Sequence, residues 1–279
     1  MGSLDTPFPY PGGKTRLADW IIDTMPAHRR YVEVFGGAAS VLYQKAPSAE
    51  EVYNDLNTDL KHFFETVVGQ PDALADWLAD VDYNPERYGR WADAYYAGER
   101  SDDPVERAGR FYYLRYAAFN ASIAHKSGFR GTDGESDPSA TWDRARSPDR
   151  LRELADRFGG VEIRALDWRH VLAEYDGPET VFYLDPPYLG REHYYRTTEF
   201  AHDELAATLA DLDGRWLVSY DRVPDALARE DVFVVETDHY YHMADASGGD
   251  GETTERLVCN FDPGVADDRR GQADLAAFS

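Results

Sequence analysis

Strand and helix signals alternate at both ends of this chain but not in its middle. That single interruption restricts the possible folds more than any other feature. A helix is predicted over 15–25, with Leu17, Trp20, Ile21 and Met25 on one face and Pro26 past its end. A strand follows at 31–35, a glycine turn leads into a helix over 36–45, and 50–57 and 58–68 read as strand and helix. This β-turn-α-β-α order opens a doubly wound sheet. From Pro71 to about Arg157 the strands stop. Helical patterns fill 71–79, 85–97 and 104–125, the last with Asp102 or Asp103 as N-cap and Pro104 in the first turn. The polar stretch 125–143, with Phe129 and Trp142 embedded, reads as an exposed functional loop. Alternation then resumes with strand 161–166, helix 168–174, strand 181–184, helix 202–212 and strands 215–220, 232–237 and 254–261. The expectation is an α/β fold. One Rossmann-like sheet domain, 1–70 plus 158–262, is split by a mainly helical insertion, 71–157, and followed by a polar tail, 263–279.

With 43% hydrophobic and 14% aromatic residues, 279 residues can bury a substantial core. No apolar run approaches the roughly 18–20 residues of a membrane helix, and the first residues lack the basic-then-apolar pattern of a leader. Cys259 is the only cysteine, which excludes an internal disulfide or an all-cysteine metal site. His125, His193 and His202 show no metal-ligand spacing. A cytoplasmic, metal-free monomer is expected. Charge is the unusual property: 52 acids face 29 bases, for a net −23, and only Lys14, Lys45, Lys61 and Lys126 among those bases are lysine. Carboxylate spread along the whole chain keeps a protein hydrated in concentrated salt, so a halophilic source is expected. Such acidity would ordinarily argue against nucleic acid. At molar salt, however, the Debye length is only ~3 Å and counterion release contributes little, so net charge stops being diagnostic.

Four stretches place polar groups at strand ends or turns, where open α/β sheets bind ligands. In PYPGGK (9–14), Gly12 and Gly13 allow close backbone approach and Lys14 starts a helix; a plain Pro-Gly turn would look the same. EVFGGAAS (33–40) is a glycine turn between strand and helix with room for a cofactor, but it is not GxGxxG. In NDLN (54–57), Asp55 sits where a ribose diol is gripped, or alternatively caps the next helix. Finally, the apolar run Val181–Leu184 ends in Asp185, Pro186, Pro187 and Tyr188. The prolines fix φ and remove two N–H donors. A rigid carbonyl, a carboxylate and an aromatic face then suit a planar ring bearing an exocyclic amine.

PYPGGK, EVFGGAAS, NDLN and LDPPY occur in this order, with the helical insertion between the last two, and TTEFAHDELAATL, LVSYD and TERLVCNF follow. Together they resemble the Dam-type, D12-class family of DNA adenine-N6 methyltransferases, over residues 7–262, from a halophile or its virus. The resemblance implies a Rossmann-like S-adenosylmethionine-dependent methyltransferase sheet and a target-recognition insertion. It implies that Tyr10, Gly12, Gly13 and Lys14 contact the cofactor, that Glu33 and Phe35 to Ser40, with Gly36, Gly37 and Ala38, wrap its methionine part, and that Asp55 holds its ribose. Asp167 is expected near its adenine. Asp185, Pro186, Pro187 and Tyr188 are expected to hold the flipped target adenine, with Asp185 also beside the cofactor. By residue type alone, Arg115, Asn120, Lys126 and Arg130, in or beside the insert loop, either read base edges of double-stranded DNA or form a plain solvated surface. The family turn is usually F-x-G-x-G, and Ala39 stands in the last glycine position; if that residue needs positive φ, alanine costs ~1 kcal/mol. The recognition insert resembles the family in outline only, so it specifies neither the base sequence read nor a partner endonuclease. Two other readings use the same residues: a methyltransferase for an RNA base amine, and a non-catalytic DNA-binding homologue. EHYYR (192–196) could be a lid over the base or packing.

Overall fold

The structure, a computed structural model, describes residues 4–120, 125–131, 137–190, 200–237, 241–242 and 252–265. In chain order the elements are α1 (Ala18–Thr24), β1 (Arg30–Glu33), α2 (Ser40–Gln44), β2 (Glu50–Asn54), α3 (Thr58–Gly69), α4 (Pro71–Ala79), α5 (Pro85–Tyr96) and α6 (Pro104–Ala117). Then come α7 (Pro138–Ala145), α8 (Pro148–Phe158), β3 (Val161–Arg164), α9 (Trp168–Tyr175), β4 (Thr180–Leu184) and α10 (His202–Ala210). The last strands are β5 (Arg215–Tyr220), β6 (Phe233–Glu236), β7 (Tyr241–His242), β8 (Glu252–Thr253) and β9 (Arg256–Cys259). Seven strands form a sheet in the order β3-β2-β1-β4-β5-β9-β6, and β7 and β8 pair separately. This is the Rossmann-like α/β sheet the alternation implies.

The chain divides into two compact units. The first comprises Met1–Thr15, Gly36–Gln44 and Val52–Leu166; the second comprises Arg16–Phe35, Lys45–Glu51 and Asp167–Ser279. The first unit carries the helices α3 to α8. Four of these start with proline behind a capping side chain (Asn84, Asp103, Asp137 and Ser147), which satisfies first-turn N–H groups. Its core is aromatic. Phe8 is fully buried, with its ring centroid 5.2 Å from Phe63 and 5.7 Å from Phe111. The Tyr116 hydroxyl donates to the Pro7 carbonyl at 3.0 Å, and Arg150 Nη2 to the Thr6 carbonyl at 2.7 Å. The N-terminal segment is thereby anchored to α6 and α8.

Two expectations for this unit are corrected. The helix expected to reach 125 ends at Ala117, where the backbone turns extended and Ala118 bridges Phe129 antiparallel. The stretch 125–143 is not all exposed loop. Asp137 caps α7, and Trp142 is completely buried, donating its indole N–H to the Val81 carbonyl at 2.8 Å. The helix at 148–158, capped by Ser147 and started by Pro148, is not among the expected elements.

In the second unit β4 lies between β1 and β5, parallel to both, and β9 runs antiparallel to β5 and β6. Strand order reverses between β1 and β4, and open sheets bind ligands beyond the carboxyl ends of strands at such a point. All five β4 residues are buried, as expected of a central strand covered on both faces. Among the described residues no helix is long and apolar enough to cross a membrane, and no group of three His, Cys, Asp or Glu could hold a metal ion.

Candidate active site

In the first unit, three pieces of chain meet at a glycine turn. The Gly13 N–H closes a turn on the Tyr10 carbonyl at 3.1 Å, with Gly12 at φ 70°, and Lys14 Nζ returns to the Gly12 carbonyl at 3.1 Å. Sterics dictate the glycines that follow. A Cβ on Gly36 would lie 2.2 Å from the Tyr53 ring, and one on Gly37, at φ +50°, would lie 2.9 Å from the Tyr10 ring. Ala38 is buried, and Ala39 is the one non-glycine residue at positive φ (56°) among the described residues. Its N–H bonds the Gly36 carbonyl at 2.7 Å. The turn therefore requires the left-handed conformation there, and alanine is strained in it by roughly 1 kcal/mol. Ser40 Oγ lies 3.0 Å from Thr6 Oγ1 and 3.2 Å from Thr15 Oγ1, joining the turn to the N-terminal segment.

Asp55 braces this turn. Its Oδ2 accepts the Gly37 N–H at 2.9 Å and its Oδ1 the Asn57 N–H at 2.8 Å. Asp55 is not the cap of α3; Asn57 is, accepting from the Asp59 N–H at 3.0 Å. A carboxylate offers about four acceptor sites, so each oxygen keeps capacity for another donor, such as a hydroxyl of a diol. Burial pushes the Asp55 pKa up, and the two backbone N–H bonds pull it back only in part. Tyr10 shifts well upward, because burial and then the charge of Asp55 disfavour its phenolate.

In the second unit the prolines end β4 and Asp185 leaves the strand as a half-buried carboxylate. Three tyrosines lie within reach of its charge. Tyr183 is buried, with its hydroxyl 2.9 Å from Ser219 Oγ. Tyr188 is 9% exposed, its ring centroid is 5.8 Å from that of Tyr220, and its hydroxyl donates to Glu255 Oε1. The Tyr220 hydroxyl lies 2.9 Å from His202 Nδ1. Burial, followed by the charge of Asp185, raises the pKa of all three phenols, which keeps them protonated as donors. Phe35 packs edge-on against Phe200 at 5.6 Å. Glu33 is 2% exposed and accepts from the Tyr31 hydroxyl at 2.7 Å.

The other expected site residues have these surroundings. Arg115 is not a surface base reader. It lies on the buried face of α6, 1% exposed, with its guanidinium 5.2 Å from the Phe111 ring and 5.7 Å from the Tyr95 ring. Its burial and its ring contacts place the Arg115 side chain in the aromatic core. Asp167 caps α9 through the Arg169 N–H at 2.9 Å and pairs with the Arg169 side chain at 3.1 Å. Lys126 pairs with Asp93 at 2.5 Å, and Arg130 Nη2 donates to the Phe119 carbonyl at 3.3 Å. Asn120 is exposed, and its carbonyl accepts from Ser127 Oγ at 2.9 Å. The segment 192–196 and His193 lie outside the described residues. Sequence reading missed Phe119 and Leu56, both 69% exposed beside Asn120 and Asp55, and the buried Glu255. Phe119 and Leu56 could have been suspected as apolar residues inside polar motifs. Glu255 could not, because its partner is 67 residues away.

Residues 10–242 match the family model described as D12 class N6 adenine-specific DNA methyltransferase. The chain is 24% identical over 199 residues to the Type II methyltransferase M.MjaIII of Methanocaldococcus jannaschii, covering 64% of this chain and 67% of that one. It is 26% identical over 213 residues to a DNA adenine methylase of Haemophilus influenzae, covering 73% and 72%. With a DNA adenine methylase of Salmonella typhi the identity is 25% over 278 residues, 92% of this chain and 95% of that one.

Proposed function

The chain belongs to the D12 class of N6 adenine-specific DNA methyltransferases, and from that membership we propose which residues carry its activity, methylation of adenine N6 in DNA, and with which donor. The donor is S-adenosylmethionine, which supplies an electrophilic methyl group on a sulfonium. The donor set supports the assignment: a braced carboxylate with spare acceptor capacity suits a ribose diol, beside a tight glycine turn. Tyr10, Gly12, Gly13, Lys14 and Gly36 to Ser40, in the same unit as Asp55, form the rest of the donor site. The segment 71–157 is the target-recognition part. Asn120, Lys126 and Arg130 lie on its DNA side, and the exposed Phe119 ring offers a stacking face. Arg115 has no part in base reading. The acidic, lysine-poor composition supports a halophilic source.

The observation that carries the reading is the Asp185 corner, a carboxylate at the end of a fully buried central strand whose charge acts on three protonated tyrosines. The N6 lone pair of adenine is delocalised into its ring, which makes the amine a poor nucleophile. Asp185 and the Pro186 carbonyl accept its two hydrogens and favour a more tetrahedral nitrogen. Pro187 holds that carbonyl rigid, and Tyr188 stacks on the base, recovering ~1–3 kcal/mol of the stacking lost when the base leaves the duplex. As the nitrogen–carbon bond forms and the sulfur–carbon bond breaks, positive charge develops on N6 beside Asp185, which lowers the barrier. The surplus proton leaves to Asp185 or to water. Sequencing of modified bases in DNA from cells expressing the protein tests this reading. N6-methyladenine within one short sequence context is expected; unmodified DNA, with methyl transfer to ribosomal RNA instead, would overturn it.

A further inference from the structure

Glu255 stands immediately before β9, the strand between β5 and β6. Its backbone is fixed twice. Its carbonyl accepts the Thr237 N–H at 3.1 Å, and the next residue, Arg256, lies in register between Tyr220 and Glu236. Arg256 Nε also bonds Glu236 Oε1 at 2.7 Å. Glu255 is 7% exposed, and its carboxylate accepts from the Tyr188 hydroxyl. A buried carboxylate is costly unless it is hydrogen-bonded, so a bond to a neutral phenol is not incidental.

We propose that Glu255 is a positioning residue for methyl transfer: by holding the far end of the Tyr188 side chain, it fixes the plane of the ring on which the target adenine stacks. The inference rests on reading Asp185 to Tyr188 as the adenine corner. Tyr188 has two free side-chain torsions. Tyr220 packs on its ring at 5.8 Å and 40°, which limits sliding and rotation about the long axis but not tilting of the hydroxyl end. A rigidly anchored acceptor at that end removes the tilt. A stacked base inherits the ring plane, and N6 must meet two acceptors and the methyl carbon at once. A misplacement of about 1 Å costs on the order of 100-fold in rate. Sheet and proline corner thus act on the base together, one through Glu255 and Tyr188 and the other through the Asp185 oxygens.

The test is a double-mutant cycle on the full chain, with radiolabelled methyl transfer from S-adenosylmethionine to unmethylated bacterial DNA. Donor affinity is measured by calorimetry and folding by thermal melting. Glu255→Ala is expected to lower kcat ~10–100-fold, with donor affinity within about twofold of wild type. Glu255→Gln, which keeps an acceptor oxygen, should restore most of the rate. Tyr188→Phe should match Glu255→Ala, and the double variant should be no worse than either single one, because both remove the same bond. Additive losses, a glutamine variant as poor as alanine, or Tyr188→Phe with wild-type kcat would each overturn the proposal. Should Glu255→Ala not fold, the Gln and Phe variants decide it. Wild-type protein that transfers no methyl group to DNA would instead sink the adenine-corner reading itself.

Discussion

At the glycine turn the backbone does the shaping, whereas at Asp185 to Tyr188 the side chains do. The turn is set by residues that lack a Cβ. Gly36 makes room for Tyr53, Gly37 makes room for Tyr10, and the Asp55 oxygens hold backbone N–H groups. The proline corner has no such vacancies. Its form comes from rings in contact and from hydroxyls bonded to Ser219, Glu255 and His202. A site made of backbone fails by strain when a methyl group is added. A site made of side chains fails by loosening when one contact is removed.

This contrast can be broken at the turn's support. Phe8 lies two residues before Tyr10 and fills the aromatic core between α3 and α6. Phe8→Ala is expected to cost ~3–5 kcal/mol in denaturant unfolding and to weaken donor binding with it. Wild-type stability would mean the turn stands without that anchor. Asp55→Ala should remove both the turn's brace and the diol acceptor, lowering donor affinity about 100-fold, or roughly 2.7 kcal/mol, by calorimetry; unchanged affinity would separate the turn from the donor. The same carboxylate sets a pH dependence. Burial raises its pKa in the folded protein, so donor affinity should fall as pH is lowered, starting at higher pH than for an exposed aspartate. Asp55→Asn should flatten that dependence. The smallest effect belongs to Ala39, at φ 56°. Ala39→Gly should relieve left-handed strain and stabilise the protein by about 0.5–1 kcal/mol, where a contact-based site would lose stability.

The difference in materials also explains which features the sequence makes legible. Glycines and prolines announce backbone geometry locally, so the turn at 36–40, the start of α6 at Pro104 and the corner at 185–188 can all be read from the residues themselves. Ala39 stands out for the same reason, and its positive φ confirms that the position needs a left-handed residue. Burial of polar side chains depends on distant partners and leaves no such mark. Arg115 reads as a residue beside the insert loop because the sequence does not show which face of its helix is buried; the structure sets the guanidinium against the Phe111 and Tyr95 rings. Trp142 looks exposed amid polar neighbours, yet Asp137 and Pro138 start a helix that buries it. Glu255 is invisible without its tyrosine.

The central claim is that the Asp185 corner acts on the amine and not on the donor. Asp185→Ala, assayed side by side for S-adenosylmethionine binding and for methyl transfer to DNA, tests it most directly. The account predicts transfer lowered ~10³-fold, with donor affinity and melting temperature close to wild type. Transfer at the wild-type rate would contradict it.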